Sequence, residues 1–376
     1  MMAEIPQLHT SREPTPRESA LWVAMTLTKG ISRKALSSLI RSHNFCAPAI
    51  WEELQALAAA SPSKGRAQIR LPDLGKVEDL IADWQRSSAR LLTLDAQDYP
   101  PQLLDLEELA PVLYLRGQGS LEANNALAIV GSRSATSYGL SLANDLAYQL
   151  AQLGLVIVSG LARGVDTWAH RGSLEAGGET WAVLGCGIDL CYPPENFKLR
   201  AAIEERGLLI SEYPALVEPA PFRFPYRNRL IAALARGTLV VQASHKSGAM
   251  ITADWAANLG RSVMAVPGAV DSLQSQGPLE LISQGAALVR HSQDVLDALG
   301  VFVEELPPTS SWSLGEEEER LLKILGSQGK STEELAQLSQ APLGWVIATL
   351  NKLELAGLAR RWPDLTWSLR GGTKPG

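Results

Sequence analysis

Along the first quarter of the chain, hydrophobic positions recur at helical spacing. Leu21, Trp22, Met25, Leu36, Leu39 and Ile40 mark apolar faces between Glu18 and Trp51. The segment "TKGIS" interrupts them as a connection between two helices would. "AAASPSKGRAQIRLP" reads as a loop, and Val77 to Gln85 as another helix. Residues 18–90 are expected to form a small helical domain behind a disordered stretch, 1–17.

The pattern changes between Asn125 and Leu299. "ALAIVG", "LVIVS", "TWAVLG", "LLIS", "TLVVQA", "SVMAVP" and "AALV" are short apolar runs, nearly all separated by segments of helical period. Such runs are the sequence form of a parallel sheet covered on both faces. They predict one α/β domain, a Rossmann-like doubly wound parallel sheet. "ELPPTSSWSLGEEEE" then reads as a linker, placed at 301–315, before a last unit at 316–370. Two amphipathic helices, a longer one from Leu343 to Leu355, and "LARRWPDLTWSL" as a hairpin turning at Pro363-Asp364 give the order of a winged helix.

Composition narrows the chemistry. With 376 residues, two or three domains are expected. The net charge is −6, so any site for a polyanion has to be local. Cys46, Cys186 and Cys191 have neither CxxC spacing nor a histidine cluster, which disfavours disulfides and metal sites and suits a reducing, cytoplasmic setting. "MMAEIPQLHTSREPTPRE" lacks the apolar core of a signal peptide, and no run is long enough to suggest a membrane span.

Several enzyme motifs are missing. "GCGIDL" at 185–190 has Leu190 where a dinucleotide fingerprint needs its third glycine, and there is no GxxxxGK[ST] or HExxH. No cofactor, metal or catalytic residue is expected. Three strand ends instead carry small-residue turns that open helices. They are Gly131-Ser132-Arg133 in "IVGSRSATSYG", Ser159-Gly160 in "VSGLARGVDTWAH", and Lys246-Ser247-Gly248 in "HKSGAMITAD". Backbone N–H groups at such turns bind anions, and all three should line one carboxyl edge of the sheet. Asp166 reads as a first-turn cap and His170 as a packed helix residue.

"FRFPYRNRL" at 222–230 is the least ordinary stretch. Phe224 precedes a proline and is expected to be extended, with Pro225 at the first position of a helix. From Pro219 to Ser262 there are six cations (Arg223, Arg227, Arg229, Arg236, Lys246, Arg261) against the single acid Asp254, a local net charge of +5. Cations that hold phosphates beside rings that stack bases are the chemistry of single-stranded nucleic-acid binding. Arg227 and Arg229 lie about 200° apart on a helix, so one of them is expected to be structural. Phe224 has two readings, a base-stacking ring or a core residue.

"IVGSR", "VSGLARGVDTWAH", "AVLGCGIDLCYPPEN", "LLISEYP", "FPYRNRLIAAL", "SGAMITADWA" and "VMAVPG" resemble the bacterial DNA-processing protein family called DprA or Smf. "YPPQLLDL" followed by "APVLYLRG" is similar to the lead-in those proteins carry, and the match runs in order from Tyr99 to Gly300. The resemblance implies an extended Rossmann-like domain at 91–300, flanked by an N-terminal helical (SAM/HhH-like) domain and the winged helix. It implies a homodimer formed through that Rossmann-like domain, single-stranded DNA binding during natural transformation, and delivery of the strand to a RecA-type recombinase, without catalysis. By position it assigns DNA contact to Arg133, Phe224, Arg227, Asn228 and Arg229. With the turns and the neighbouring Arg223, the expected interface is Gly131, Ser132, Arg133, Ser159, Gly160, Arg223, Phe224, Arg227, Asn228, Arg229, Lys246, Ser247 and Gly248.

The chain departs from the pattern at Pro194 and Pro221, where some members have lysines; Lys198 and Arg223 lie close by. Gln242 stands where a glutamate is usual. The alternative function is a nucleotide-processing phosphoribohydrolase on a related fold, or a nucleotide sensor, but "SHKSGAMITAD" lacks the PGGxGTxxE loop such enzymes carry. The winged helix has few cations on its third helix, so a protein-contact or dimer role is expected, with DNA contact limited to Arg360 and Arg361 of the wing.

Overall fold

The computed structural model describes residues 13–60, 68–86, 89–121, 125–301, 315–326, 329–355, 358–362 and 365–369. Most of the expected disordered N-terminus and linker, and the hairpin turn at Pro363-Asp364, lie outside the described residues.

Four helices open the chain: α1 (Pro16–Leu27), α2 (Arg33–Ser42), α3 (Ala47–Ala60) and α4 (Leu74–Arg86). The first begins earlier than expected, because Thr15 and Glu18 form a capping box around Pro16. The Thr15 hydroxyl accepts from Glu18 N at 3.2 Å and the Glu18 carboxylate accepts from Thr15 N at 2.8 Å.

Nine strands form one sheet: β1 (Arg90–Thr93), β2 (Val112–Gly117), β3 (Ala126–Val130), β4 (Val156–Ser159), β5 (Thr180–Leu184), β6 (Leu208–Ser211), β7 (Gly237–Val240), β8 (Ser262–Ala265) and β9 (Ala287–Leu288). Their order is β1-β2-β6-β5-β4-β3-β7-β8-β9. From β6 to β9 every pairing is parallel, and β2 and β1 extend the sheet antiparallel beyond β6. This is the extended, doubly wound Rossmann-like sheet. The direction of winding reverses between β3 and β7, the place where open α/β sheets form a ligand crevice.

Helices α5 (Ser137–Gln152), α6 (Val165–Glu175), α7 (Phe197–Arg206), α8 (Arg223–Leu234), α9 (Gly248–Asn258), α10 (Gln276–Ser283) and α11 (Ser292–Leu299) cover the sheet. Alternate residues of one strand serve the two faces. Ala126, Ala128 and Val130 of β3 join a core with Leu230 and Ile231 of α8, while Leu127 and Ile129 join one with Leu146 of α5 and Ala169 of α6. The core on the α8 face continues without a break into Trp22, Ile40 and Leu54 of the N-terminal helices. That helical unit is therefore packed onto the sheet.

The last unit comprises α12 (Glu316–Leu325), α13 (Thr332–Ser339), α14 (Leu343–Leu355) and the antiparallel pair β10 (Ala359–Arg361) and β11 (Trp367–Leu369). It is a winged helix with its own core around Leu325, Leu335, Val346, Leu350 and Trp367. Its wing meets the sheet domain. Arg360, expected to face DNA, is buried and pairs with Glu175 at 2.7 Å and Asp145 at 3.5 Å, while Trp362 packs on Trp168 with ring centres 4.8 Å apart. Among the described residues no helix is long and apolar enough to cross a membrane.

Helices α5 and α6 approach closely at Gly172, where a Cβ would stand 2.2 Å from the carbonyl oxygen of Asn144. Backbone gives little there, so Gly172→Ala should cost about 1–3 kcal/mol of folding stability. Urea denaturation measures it, and a variant as stable as the parent would mean that the two helices separate freely.

Candidate functional site

The strand ends around the switch point converge as expected, and the backbone explains how. Thr136 caps α5 by accepting from Gly139 N at 3.2 Å. Gln242, two residues beyond the end of β7, accepts from Thr136 N at 2.9 Å through its side chain, and its backbone oxygen accepts from Ser132 N at 2.6 Å. Gln242 also donates to the Thr136 hydroxyl at 3.0 Å, a bond that a glutamate carboxylate could not donate. It holds the turn after β3 against the end of β7. Gln274 adds a third strap from the turn after β8, donating to Ser134 O at 3.2 Å.

Beneath these turns lies a buried polar cluster. Asp166 is buried, and its carboxylate accepts from Gly160 N at 3.1 Å and Ala162 N at 3.4 Å, so it shapes the turn after β4. Arg227, only 3% exposed, reaches across from α8 and donates to Gly160 O at 2.9 Å and to Val183 O. Burial pushes Arg227 down to about 10, against the pull of Asp166. Burial likewise raises Asp166, against Arg227 and the two N–H groups. A Cβ on Gly160 would meet the Arg227 guanidinium at 2.5 Å and the Asp166 carboxylate at 2.8 Å, so only glycine fits between them.

Arg227 and Arg229 of α8 therefore differ from the sequence expectation that only one of them is structural. Arg229 is fully buried and grips Glu212 with two bonds, 2.8 and 2.5 Å long. Its burial opposes the charge, but Glu212 outweighs it and the net shift is upward. Neither Arg227 nor Arg229 is open to a ligand. Both are framework. Ser159 is also withdrawn, fully buried with its hydroxyl donating to Ile129 O at 2.7 Å, and Gly160 and Ser132 are buried with it.

Phe224 is helical, not extended. The helix begins at Arg223, which makes Pro225 the third residue of the first turn. Proline is tolerated there because first-turn N–H groups have no partner within the helix. The Phe224 ring is half-buried against Gly185, where a Cβ would meet it at 2.7 Å, and its centre lies 5.3 Å from that of Tyr192. The exposed guanidinium of Arg133 sits over the same ring at 5.5 Å. The structure thus joins Arg133, Phe224 and Tyr192 into one cation and ring surface. Tyr192 is not among the residues expected at the interface; its stretch, "AVLGCGIDLCYPPEN", carries the family resemblance but no assigned contact.

The other expected residues flank this surface. Arg223 donates to Glu218 O and lies over the rings of Phe222 and Tyr213. Asn228 donates to Gly248 O at 3.0 Å, which fixes the start of α9. Ser247 caps that helix, accepting from Ala249 N at 3.3 Å, and Lys246 and Gly248 are exposed beside it. Gly131 is half-buried, with no room for a Cβ against Val165 at 2.5 Å. Among the described residues no group of three or more His, Cys, Asp or Glu is placed to hold a metal ion.

The sequence and fold are shared with known proteins. Residues 90–300 match the family described as DNA recombination-mediator protein A, and residues 305–364 match the DprA winged helix domain. Protein Smf of Escherichia coli is 35% identical over 290 residues, which span 75% of this chain and 78% of that protein. DNA processing protein A of Streptococcus pneumoniae, known by X-ray structure, superposes with a TM-score of 0.62 at 31% identity, covering 76% of this chain and 98% of that one. DNA processing protein A from Helicobacter pylori, in a structure described as giving insight into its single-stranded DNA binding mode, superposes with a TM-score of 0.52 at 31% identity, over 56% of this chain and 95% of that one.

His170, packed under the same turns, is expected to make stability depend on pH. The Thr180 hydroxyl donates to Ile157 O at 2.6 Å, so it accepts from His170 Nδ1 at 2.7 Å and the ring is the Nδ1–H tautomer. Complete burial, with Arg227 nearby, pushes His170 down to about 3 from an ordinary 6.5. The unfolded chain takes up this proton below 6.5 and the folded chain does not until about 3. Stability should therefore fall as pH drops from 6.5 towards 5, by about 1.4 kcal/mol per unit from this group. Denaturant titrations at several pH values should show a smaller loss for His170→Asn; equal losses would mean that the native histidine accepts the proton.

Proposed function

The chain belongs to the DNA recombination-mediator protein A family, called DprA or Smf, and on that premise we propose that it binds single-stranded DNA along the carboxyl edge of its sheet. It acts as a recombination mediator and not as an enzyme. It protects incoming strands in natural transformation and passes them to a RecA-type recombinase. One observation carries the site: an exposed arginine, Arg133, lies over the half-buried Phe224 ring where the winding of the sheet reverses. A guanidinium neutralises a phosphate and an accessible ring face stacks a base, and neither depends on sequence.

The contacting set is Arg133, Phe224, Arg223, Lys246, Ser247 and Gly248. The framework set is Arg227, Arg229, Ser159, Gly160, Ser132 and Asn228. Gly131 belongs with the framework, since its role is to let the turn pass Val165. The rival reading, a nucleotide-processing enzyme, finds no support in the polar groups here. Asp166 is spent on two backbone N–H groups, and Gln242 stands at the end of β7. Assaying nucleoside-monophosphate hydrolysis beside DNA binding separates the two.

The division into domains at 18–90, 91–300 and 316–370 and the homodimer belong to the same proposal. Leu288, exposed on the edge strand β9, is an apolar side chain that a second copy would cover. Light scattering of the full chain should give twice the chain mass at micromolar concentration. A monomer would exclude the dimer.

Two substitutions test the site. Arg133→Ala should weaken single-stranded DNA binding and reduce the slope of log affinity against log salt by about 0.7, one phosphate contact. Phe224→Ala should cost roughly 1–3 kcal/mol of affinity with the slope unchanged, because no charge is removed. Since Phe224 also packs on Gly185 and Tyr192, melting temperature is read on the same sample. Normal affinity in either folded variant would remove that residue from the interface.

A further inference from the structure

Helix α2 of the N-terminal unit faces the sheet domain with four polar side chains. Arg41 donates to Leu106 O at 2.6 Å and Glu107 O at 3.0 Å, Ser37 accepts from Leu109 N at 2.9 Å, and Lys34 pairs with Glu107 at 2.5 Å. These three hold the connecting segment before β2. The fourth, Arg33, reaches further. Its guanidinium lies 3.5 Å from the Glu212 carboxylate and 4.1 Å from the centre of the Tyr226 ring.

Tyr226 stands in the first turn of α8, two residues after Phe224. Its other neighbour is Arg229, whose guanidinium is 4.0 Å from the same ring. The ring is thus in contact with two cations, and both cations are tied to Glu212, which is 8% exposed. Burial opposes the charge on Arg33, but Glu212 and the hydroxyl of Tyr226 outweigh it and the net shift is upward. The Arg33 guanidinium also lies 5.8 Å from the Tyr213 ring, on which Arg223 rests at 5.2 Å. Arg227 anchors α8 to the strand ends through Gly160 and Val183, and Arg33 braces it from a separate helical unit.

We propose that Arg33 is a positioning residue for the DNA-binding surface: through Glu212 and Tyr226 it makes the N-terminal helical unit set the orientation of the first turn of α8, and hence of Phe224. This role rests on the single-stranded DNA reading given above. Arg33 touches no DNA in it. The unit then contributes to affinity without contributing a contact, by keeping the ring face of Phe224 and the Arg133 guanidinium in register before the strand arrives.

The test uses the full chain carrying Arg33→Ala and Arg33→Lys, with Arg133→Ala as the control. Hydrogen exchange is read first, without DNA. Arg33→Ala should speed exchange of the amides between Glu212 and Tyr226 and leave those of α5 unchanged, and Arg33→Lys should restore most of the protection. Unchanged exchange in Arg33→Ala would overturn the proposal whether or not the protein binds DNA. Affinity for an oligothymidylate is read second, over a salt series. Arg33→Ala should lose roughly three- to thirty-fold with the salt slope of the parent, and the lysine variant should recover it. A slope reduced as in Arg133→Ala would make Arg33 a phosphate contact and overturn the positioning role. Failure of the parent chain to bind the oligonucleotide would defeat the functional reading alone, since the exchange result stands without it.

Discussion

The buried guanidinium of Arg227 donates to the carbonyls of Gly160 and Val183, and so joins the ends of two neighbouring strands to the helix that crosses them. Burying such a group is costly, and here the cost appears in both partners: burial lowers Arg227 to about 10 and raises Asp166. Carbonyl oxygens, backbone N–H groups and the mutual attraction of the two charges offset it. What the arrangement secures is position. The turns after β4 and β5 and the first turns of α8 cannot shift independently, and Phe224 rides on that helix against Gly185. An apolar substitute for the pair could be as stable, but it would not fix three backbone segments at once.

The same burial redistributes the charge of the segment from Pro219 to Ser262. Of its six cations, Arg227 and Arg229 are interior, Arg236 donates to Leu299 O at 3.0 Å, and Arg261 pairs with Asp105 at 2.7 Å. The local net charge of +5 is largely consumed in holding the domain together. Arg223 and Lys246 are left at the surface, and Arg133 joins them from a different strand end. On the proposed function, a polyanion meets a few well-placed cations on an otherwise acidic molecule. Such a surface limits the salt-dependent part of the affinity and gives ring stacking a larger share.

The parallel strands and the helices between them were legible because both faces are buried and each run is continuously apolar. The antiparallel strands β1 and β2 were not set apart as strands, since "LLTL" and "VLYLRG" lie outside the alternation of strand and helix that marked the rest. The three turns share one edge, as the sequence implies, because parallel strands must end on the same side. Which cations they present was not legible. Two arginines in one helix look alike in sequence, and only the position of Glu212, 15 residues before Arg227 and 17 before Arg229, decides that Arg229 is paired. The extended backbone expected at Phe224 gives way to helix for a related reason. The preference of a residue before proline for extended backbone is weak, and the packing of that ring on Gly185 and Tyr192 overrides it.

The winged helix follows the same rule, that the tertiary partner decides what an arginine does. Arg360 and Arg361 are adjacent in a strand, so their side chains point to opposite faces. Arg360 turns to the sheet domain, is buried, and meets Asp145 of α5 and Glu175 of α6. Arg361 stays exposed on the other side. The Trp362 ring, set on Trp168, supplies the apolar half of the contact. A wing held by a buried cation and an indole pair has its inner face committed to its own chain. Among the described residues of the wing, Arg361 alone is a further cation, too little charge to read a duplex, and the acidic opening of α12 works against one. On the proposed function, the winged helix is the part suited to contacts with protein, and the carboxyl edge of the sheet is the surface for the strand.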